Sequence, residues 1–319
     1  MIEWDYAVTT VWGQGHVVPY KMFSMPNVRK PFFAHIVLFT VYAKGMETRK
    51  DIGTEIRIEG LAKAFGEHRV LCGVDIEIKR GEMVAFVGGS GCGKTVLLNH
   101  ILGQLEADAG VVQVADHEQD GAPLVDVSRL TPAQLDVLHT HWGVVFQMNA
   151  LFSGSVFDNI RLWLHEIRHL EDEDIVPIAK RVLKAVALDD SDDFLDIDVN
   201  SLSGGMAKRL AVARALSMTP DAIFYDEPTT GLDPTSAAQI QDLILETHEL
   251  DAERQRTTII ITHDKDLLNR LEPRTVMLYE GRVFFDGPFC DFAASDSPII
   301  RPYFDLMPVL HLGHPRADR

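Results

Sequence analysis

The chain has 319 residues, 46% of them hydrophobic, and its 30 Lys+Arg against 47 Asp+Glu give a formal net charge of −17. That length holds one large or two small domains with ample core, and the acidic balance argues against nucleic acid as the main partner and against adsorption to an anionic membrane by charge alone. The three cysteines, Cys72, Cys92 and Cys290, form no disulfide framework and point to a reducing setting, and the thirteen scattered histidines lend no support to a metal site.

Residues 1–54 are dense in aromatic residues and proline, Trp4 and Trp12 among them, and carry no helical or strand period. Their longest apolar run, Pro31 to Ala43, is broken by His35 and Thr40 and falls short of the about 20 residues of a membrane span. No signal peptide opens the chain. Met46 begins a stretch that reads as the natural start of a domain. Residues 1–45 then read either as an artefact of the assigned start or as a docking arm.

Regular patterning begins at Glu55. Glu55 to Leu61 and Gly73 to Ile78 alternate as half-buried strands, and Met83 to Val87 is the short apolar run of a buried strand. Val144 to Phe146, Ala222 to Tyr225 and Thr258 to Ile261 repeat that signature. Helical stretches at Thr95 to Leu105, Ala207 to Leu216 and Ser236 to Leu250 alternate with them, which predicts a parallel sheet. Residues 150–200 break the alternation and read as a helical insert with acidic runs at Glu171 to Asp174 and Asp189 to Asp198. After Gly287 the pattern weakens into a tail, where Pro298 to Phe304 suggests a short amphipathic helix.

The segment Gly88-Gly89-Ser90-Gly91-Cys92-Gly93-Lys94-Thr95 matches GxxxxGK[ST] between a strand and a helix, the context its chemistry requires. Glycines let successive N–H groups point at phosphate oxygens, the helix N-terminus adds a favourable dipole, Lys94 reaches the outer phosphates and Thr95 offers a hydroxyl to Mg²⁺. The motif alone does not separate ATP from GTP, and no guanine-reading NKxD motif accompanies it. Two further strand ends carry chemistry. Asp226 and Glu227 close one and suit Mg²⁺ and water polarisation; His263 closes the other. Ser203-Gly204-Gly205 opens a helix and forms a second anion site, which suits the nucleotide of another subunit.

Taken in order, these motifs resemble the nucleotide-binding subunit of an ABC transporter, over about residues 55–287. The resemblance implies an α/β P-loop NTPase (RecA-like) core with a parallel sheet, an antiparallel β subdomain and an α-helical insert at about 150–202, followed by a tail at 288–319 that is a candidate docking segment. It implies that Phe65 stacks on adenine, that Gly88 to Thr95 and Val96 hold the phosphates, and that Gln147 contacts Mg²⁺ and senses the γ-phosphate. Ser203, Gly204 and Gly205 match the signature LSGGQ, with Met206 in place of Gln; Asp233 matches the D-loop, Asp226 and Glu227 the Walker B pair, and His263 the switch histidine. Lys94, Glu227 and His263 are then catalytic, and Thr95, Gln147 and Asp226 bind the metal.

The same resemblance implies ATP and Mg²⁺, a head-to-tail homodimer, an integral permease, and a peripheral place on the cytoplasmic side of the inner membrane. Within the family, the segments Gly204 to Leu216, Ala150 to Asn159 and Leu278 to Arg282 with Ser297 to Phe304 resemble the ATPases of Mla/Mce-type phospholipid transport. An MCE-domain protein and a small STAS-domain subunit are the partners this implies. Pro302 and the ending Met307 to Arg319 depart from that pattern. An ABC ATPase for another cargo, such as an amino acid, metal or drug, is the alternative. A nucleic-acid-directed ABC ATPase lacks its usual second cassette here, and an intact Glu227 and His263 argue against a non-hydrolysing switch.

Overall fold

The computed structural model describes residues 53–249 and 256–301. The readings of residues 1–52, of the Met46 start and of the end of the tail lie outside the described residues. Ten strands and nine α-helices follow in chain order among the described residues. They are β1 (Thr54–Phe65), β2 (His68–Lys79), β3 (Met83–Val87), α1 (Lys94–Ile101), β4 (Ala109–Ala115), β5 (Leu124–Asp126), α2 (Pro132–His139) and β6 (Trp142–Val145). After these come α3 (Val156–Arg168), α4 (Asp172–Ala185), α5 (Asp192–Leu195), α6 (Gly204–Ser217), β7 (Ala222–Asp226), α7 (Pro234–Glu249), β8 (Thr257–Ile261), α8 (Lys265–Leu271), β9 (Arg274–Tyr279), β10 (Arg282–Pro288) and α9 (Phe289–Ala293).

They build a four-stranded sheet in the order β2-β1-β4-β5 and a six-stranded sheet in the order β10-β9-β3-β8-β7-β6. The first is antiparallel throughout. In the second only the β9–β10 hairpin is antiparallel. The short apolar runs are strands because both faces of the parallel sheet are covered. In β3, Ala85 and Val87 enter one hydrophobic cluster while Val84 and Phe86 enter the other. Ile223 and Tyr225 against Ala222 and Phe224 divide β7 in the same way. One cluster packs the insert helices with α6, α7 and α8; the other packs the antiparallel sheet and α1.

The sequence pattern marks β3 to the residue and underestimates β1 and β2. Gly60, at φ 60°, and a register shift between Ile58 and Leu61 interrupt the alternation of β1. β4, β5 and α2 carry no clear period. Three exposed residues open β4, and α2 buries one residue, Leu138. It is fixed instead by its N-terminus, where Thr131 and Gln134 form a reciprocal capping box before Pro132. In the insert, α3 is caught by the same kind of box, Ser155 with Asp158, and α5 by a single Ser191 cap. Beyond Gly287, Phe289, Phe292 and Ile300 are buried in the cluster of the insert.

Charged side chains tie the two sheets together at the amino ends of β6 and β7. His141 bonds Asp221 through Nδ1 and Glu118 through Nε2, each at 2.8 Å. His117 stacks on His141 with ring centroids 5.7 Å apart and bonds the buried Glu55 of β1 at 2.9 Å. The Asp221 bond, helped by Glu118 and opposed by burial, raises the His141 pKa. A raised pKa means the native state holds the proton more tightly. This stabilisation is full below the ordinary value of about 6.5 and is lost as pH rises through the native value. The unfolding midpoint is expected to fall as pH rises above about 6.5, and His141→Gln is expected to flatten that slope. Equal slopes in calorimetric scans would contradict the assignment.

Candidate functional site

The strand order β3-β8-β7-β6 brings the segments after four carboxyl ends side by side: 88–95, 262–264, 226–227 and 146–150. Open α/β sheets bind ligands at this edge. The phosphate loop runs from β3 into α1, whose cap Gly93 has φ 107°. That φ strains any residue with a Cβ, and a Cβ there would also lie 2.7 Å from Leu71 Cδ2 and 3.2 Å from Val70 O, so the turn calls for glycine. Lys94 Nζ donates to the carbonyls of Gly88 at 2.7 Å and Gly89 at 3.2 Å, which folds the ammonium over its own loop. Gly89, Ser90, Gly91 and Thr95 are exposed. Val96 packs partly buried against the cluster of the antiparallel sheet.

Asp226, the last residue of β7, is partly buried, and its pKa is raised by burial first and by Glu227 second. Lys94 and Lys208 oppose the shift, which sets both ammonium groups within electrostatic reach of this carboxylate. Glu227 turns into the left-handed region at φ 47°, where its N–H donates to Ile261 O at 2.8 Å. The turn aims its Oε2 at His263 Nδ1, 2.7 Å away, with the Glu227 side chain 13% exposed and His263 48% exposed. Thr230 Oγ1 also donates to this carboxylate, at 3.3 Å. A carboxylate backed by an imidazole beside a phosphate loop can take a proton from water and shed it again.

Phe65 ends β1 and is 50% exposed, with Lys63 Nζ 5.7 Å from its ring centroid. Gln147 is exposed just after β6. Ser203 caps α6 by accepting from Met206 N at 3.2 Å, and Asp233 accepts from the N–H groups of Thr235 and Ser236 at the start of α7, both at 3.0 Å. Ser236 holds the Asp233 pKa down. A Cβ on Gly205 would lie 2.8 Å from Ser236 Oγ, so this glycine lets the starts of α6 and α7 approach. Among the described residues no hydrogen bond or ion pair joins Phe65, Ser203 or Asp233 to the Lys94–Asp226–Glu227–His263 group.

Three further features lie outside the residues that the sequence motifs single out. Asp264 is a buried hub: it caps α8 and takes hydrogen bonds from Thr229 at 2.7 Å and Gln241 at 3.4 Å, fixing the His263 turn against the segment after Glu227. Lys208 and Arg214 of α6 donate to carbonyls of the segment after β6. The third is an HExxH spacing in His165-Glu166-Ile167-Arg168-His169. The fold breaks it, because α3 ends at Arg168 and His169 turns left-handed at φ 53°. No group of His, Cys, Asp and Glu among the described residues could hold a metal ion by itself.

Cys92 lies in the loop with its Sγ 3.9 Å from Lys94 Nζ. With Cys72 and Cys290 replaced by serine, N-ethylmaleimide is expected to lower ATPase activity, and Mg-ATP to slow the labelling. Equal labelling rates with and without nucleotide would separate Cys92 from the phosphates.

This edge, with its phosphate loop, acid pair and histidine, defines a P-loop nucleoside triphosphatase. The chain matches the ABC transporter family over residues 71–230. It is 31% identical to the chloroplastic protein TRIGALACTOSYLDIACYLGLYCEROL 3 of Arabidopsis thaliana, across 82% of this chain and 75% of that protein. It is 33% identical to the intermembrane phospholipid transport system ATP-binding protein MlaF of Haemophilus influenzae, across 73% of this chain and 83% of that one. The dimeric post-hydrolysis structure of the ATP-binding cassette MJ0796, bound to ADP and Pi, matches with a TM-score of 0.62 at 28% identity, covering 73% of this chain and 98% of that one. The chain belongs to the ABC transporter family, as an ATP-binding subunit that hydrolyses ATP. No helix among the described residues is long and apolar enough to cross a membrane.

Proposed function

We propose that the chain works as a homodimer, peripheral to the cytoplasmic face of the inner membrane, and drives a permease that moves phospholipid. The observation that carries the ATPase mechanism is the Glu227–His263 pair, 2.7 Å apart beside the phosphate loop. Lys94 leaves the Gly88 and Gly89 carbonyls to bind the outer phosphates, and the loop N–H groups of Gly88 to Thr95 take the remaining oxygens, with Val96 in the following turn. Phe65 stacks on the adenine. Glu227 accepts a proton from the attacking water, and His263 holds that carboxylate in line. Ser203, Gly204 and Gly205 receive the nucleotide of the second copy, with Asp233 beside them, since Ser203 and Gly204 are exposed at a helix N-terminus.

Thr95, Gln147 and Asp226 fit Mg²⁺: all three offer hard oxygen donors, and Asp226 carries an upward pKa shift, from burial first and from Glu227 second, that a cation relieves. When bound, Mg²⁺ neutralises phosphate charge there. The ATPase unit spans 55–287, its insert 150–202, and the tail 288–319 serves partner docking through residues other than the buried Phe289, Phe292 and Ile300. The permease meets the segment after β6 and the insert, where Met148 is 84% exposed and the aromatic pair Phe152 and Trp163 is open to solvent.

The cargo reading is supported by likeness to relatives whose names carry a lipid, MlaF above all. It adds an MCE-domain protein and a small STAS-domain subunit as partners. Gentle solubilisation of membranes, capture of the tagged chain and mass spectrometry test it. A permease, an MCE-domain protein and bound phospholipid are expected. A solute-binding protein or an export permease instead would keep the ATPase and overturn the lipid cargo.

A further inference from the structure

Helix α6 carries two buried cations, and both face one loop. Lys208 is 1% exposed and its Nζ donates to the carbonyls of Phe146 at 3.1 Å and Gln147 at 2.9 Å. Arg214 donates Nη1 to Ala150 O at 2.8 Å and Nη2 to Asn149 O at 3.4 Å, with its guanidinium 5.3 Å from the Phe152 ring centroid. Four carbonyls in five residues are thus held by a single helix. That helix is the one opened by Ser203, Gly204 and Gly205.

An apolar side chain of the same volume would fill this space without stripping water from an ammonium. Burial lowers the Lys208 pKa, and the group that opposes the loss of charge is Asp226. Lys208 is therefore the side chain by which the signature helix holds the Phe146 and Gln147 carbonyls. Its hydrogen bonds go to backbone carbonyls of that segment, so it acts through other residues.

We propose that Lys208 is a positioning residue that ties the Gln147 segment to the signature helix, so that the two segments move as one piece. This rests on the reading of Gln147 as a contact of the Mg-nucleotide. Without the tie, α6 still holds the far end of the Gln147 segment through Arg214, while Gln147 itself would no longer be held in place for Mg²⁺ and the phosphate loop stays whole.

The test is a double-mutant cycle in the full-length chain with Lys208→Met, Gln147→Ala and both together, plus Lys208→Arg. Two quantities are read: the gain in affinity for a fluorescent ATP analogue on adding Mg²⁺, and phosphate release per analogue-binding site. Lys208→Met is expected to leave Mg²⁺-free binding within about twofold, to erase most of the Mg²⁺-dependent gain, and to slow release about tenfold or more. The double variant is expected to be no worse than Gln147→Ala, and Lys208→Arg to regain most of both quantities. Losses that multiply in the double variant, or an unchanged Mg²⁺ gain in Lys208→Met, overturn the proposal. A Gln147→Ala variant that behaves as wild type refutes the Gln147 reading itself, and the proposal falls with it. If Met at position 208 prevents folding, Lys208→Gln carries the same cycle.

Discussion

Glu227→Gln is expected to lower ATP turnover by about 10²- to 10⁴-fold while ATP still binds. The change removes basicity and little else. Glutamine keeps the length, the acceptor that Thr230 and His263 address, and the backbone bond from residue 227 to Ile261 O. The left-handed turn at φ 47° is set by that backbone bond, not by the carboxylate. Binding without turnover accumulates the closed state, so the variant is expected to elute as an ATP-bound dimer where the wild type returns to monomer. Phosphate release and light scattering check both parts, and turnover left at the wild-type rate would sink the assignment.

Gly88→Ala has the second-largest expected effect. The φ of Gly88 is 145°, and a Cβ there would lie 2.4 Å from Leu278 O and 2.6 Å from Cys92 Sγ. The thiol can rotate away. The Leu278 carbonyl cannot, because β9 is pinned beside β3 through the Val87–Met277 register. The loop must move instead, at a cost of roughly 1–3 kcal/mol, and Lys94, bonded to Gly88 O, moves with it. Unfolding by heat is expected at a lower temperature, with ATP affinity down about a hundredfold. Gly89→Ala is the control, since a Cβ there meets nothing within 4 Å. Wild-type affinity in Gly88→Ala, or an equal loss in Gly89→Ala, would contradict the geometry.

How legible the molecule was follows from burial. β3, β7 and β8 could be read from the sequence because strands covered on both faces need continuous apolar runs between turns. β5 spans three partly buried residues and the opening of β4 is exposed, so no period forms there. The residues at strand ends were legible because glycine, lysine and paired acids recur at fixed spacing where a sheet edge meets phosphate. Lys208 was not, because a lysine on a helix reads as solvated until the helix is seen against its neighbours. Asp264 follows His263 and looks like surface turn chemistry, yet it is 7% exposed and joins three elements. The HExxH spacing shows the converse, since a motif on one helical face requires the helix to continue past its second histidine.

The proposed mechanism requires ATP to sit between the phosphate loop of one chain and the Ser203 helix end of another. Light scattering and nucleotide content of mixed variants test it most directly. One chain carries Glu227→Gln with Lys94→Ala, the other Glu227→Gln with Ser203→Arg. Each alone is expected to stay monomeric with ATP, and the mixture to form a dimer that holds ATP at the one composite site with both halves intact. Dimerisation of either variant by itself, or a mixture that stays monomeric while Glu227→Gln alone dimerises, would contradict it.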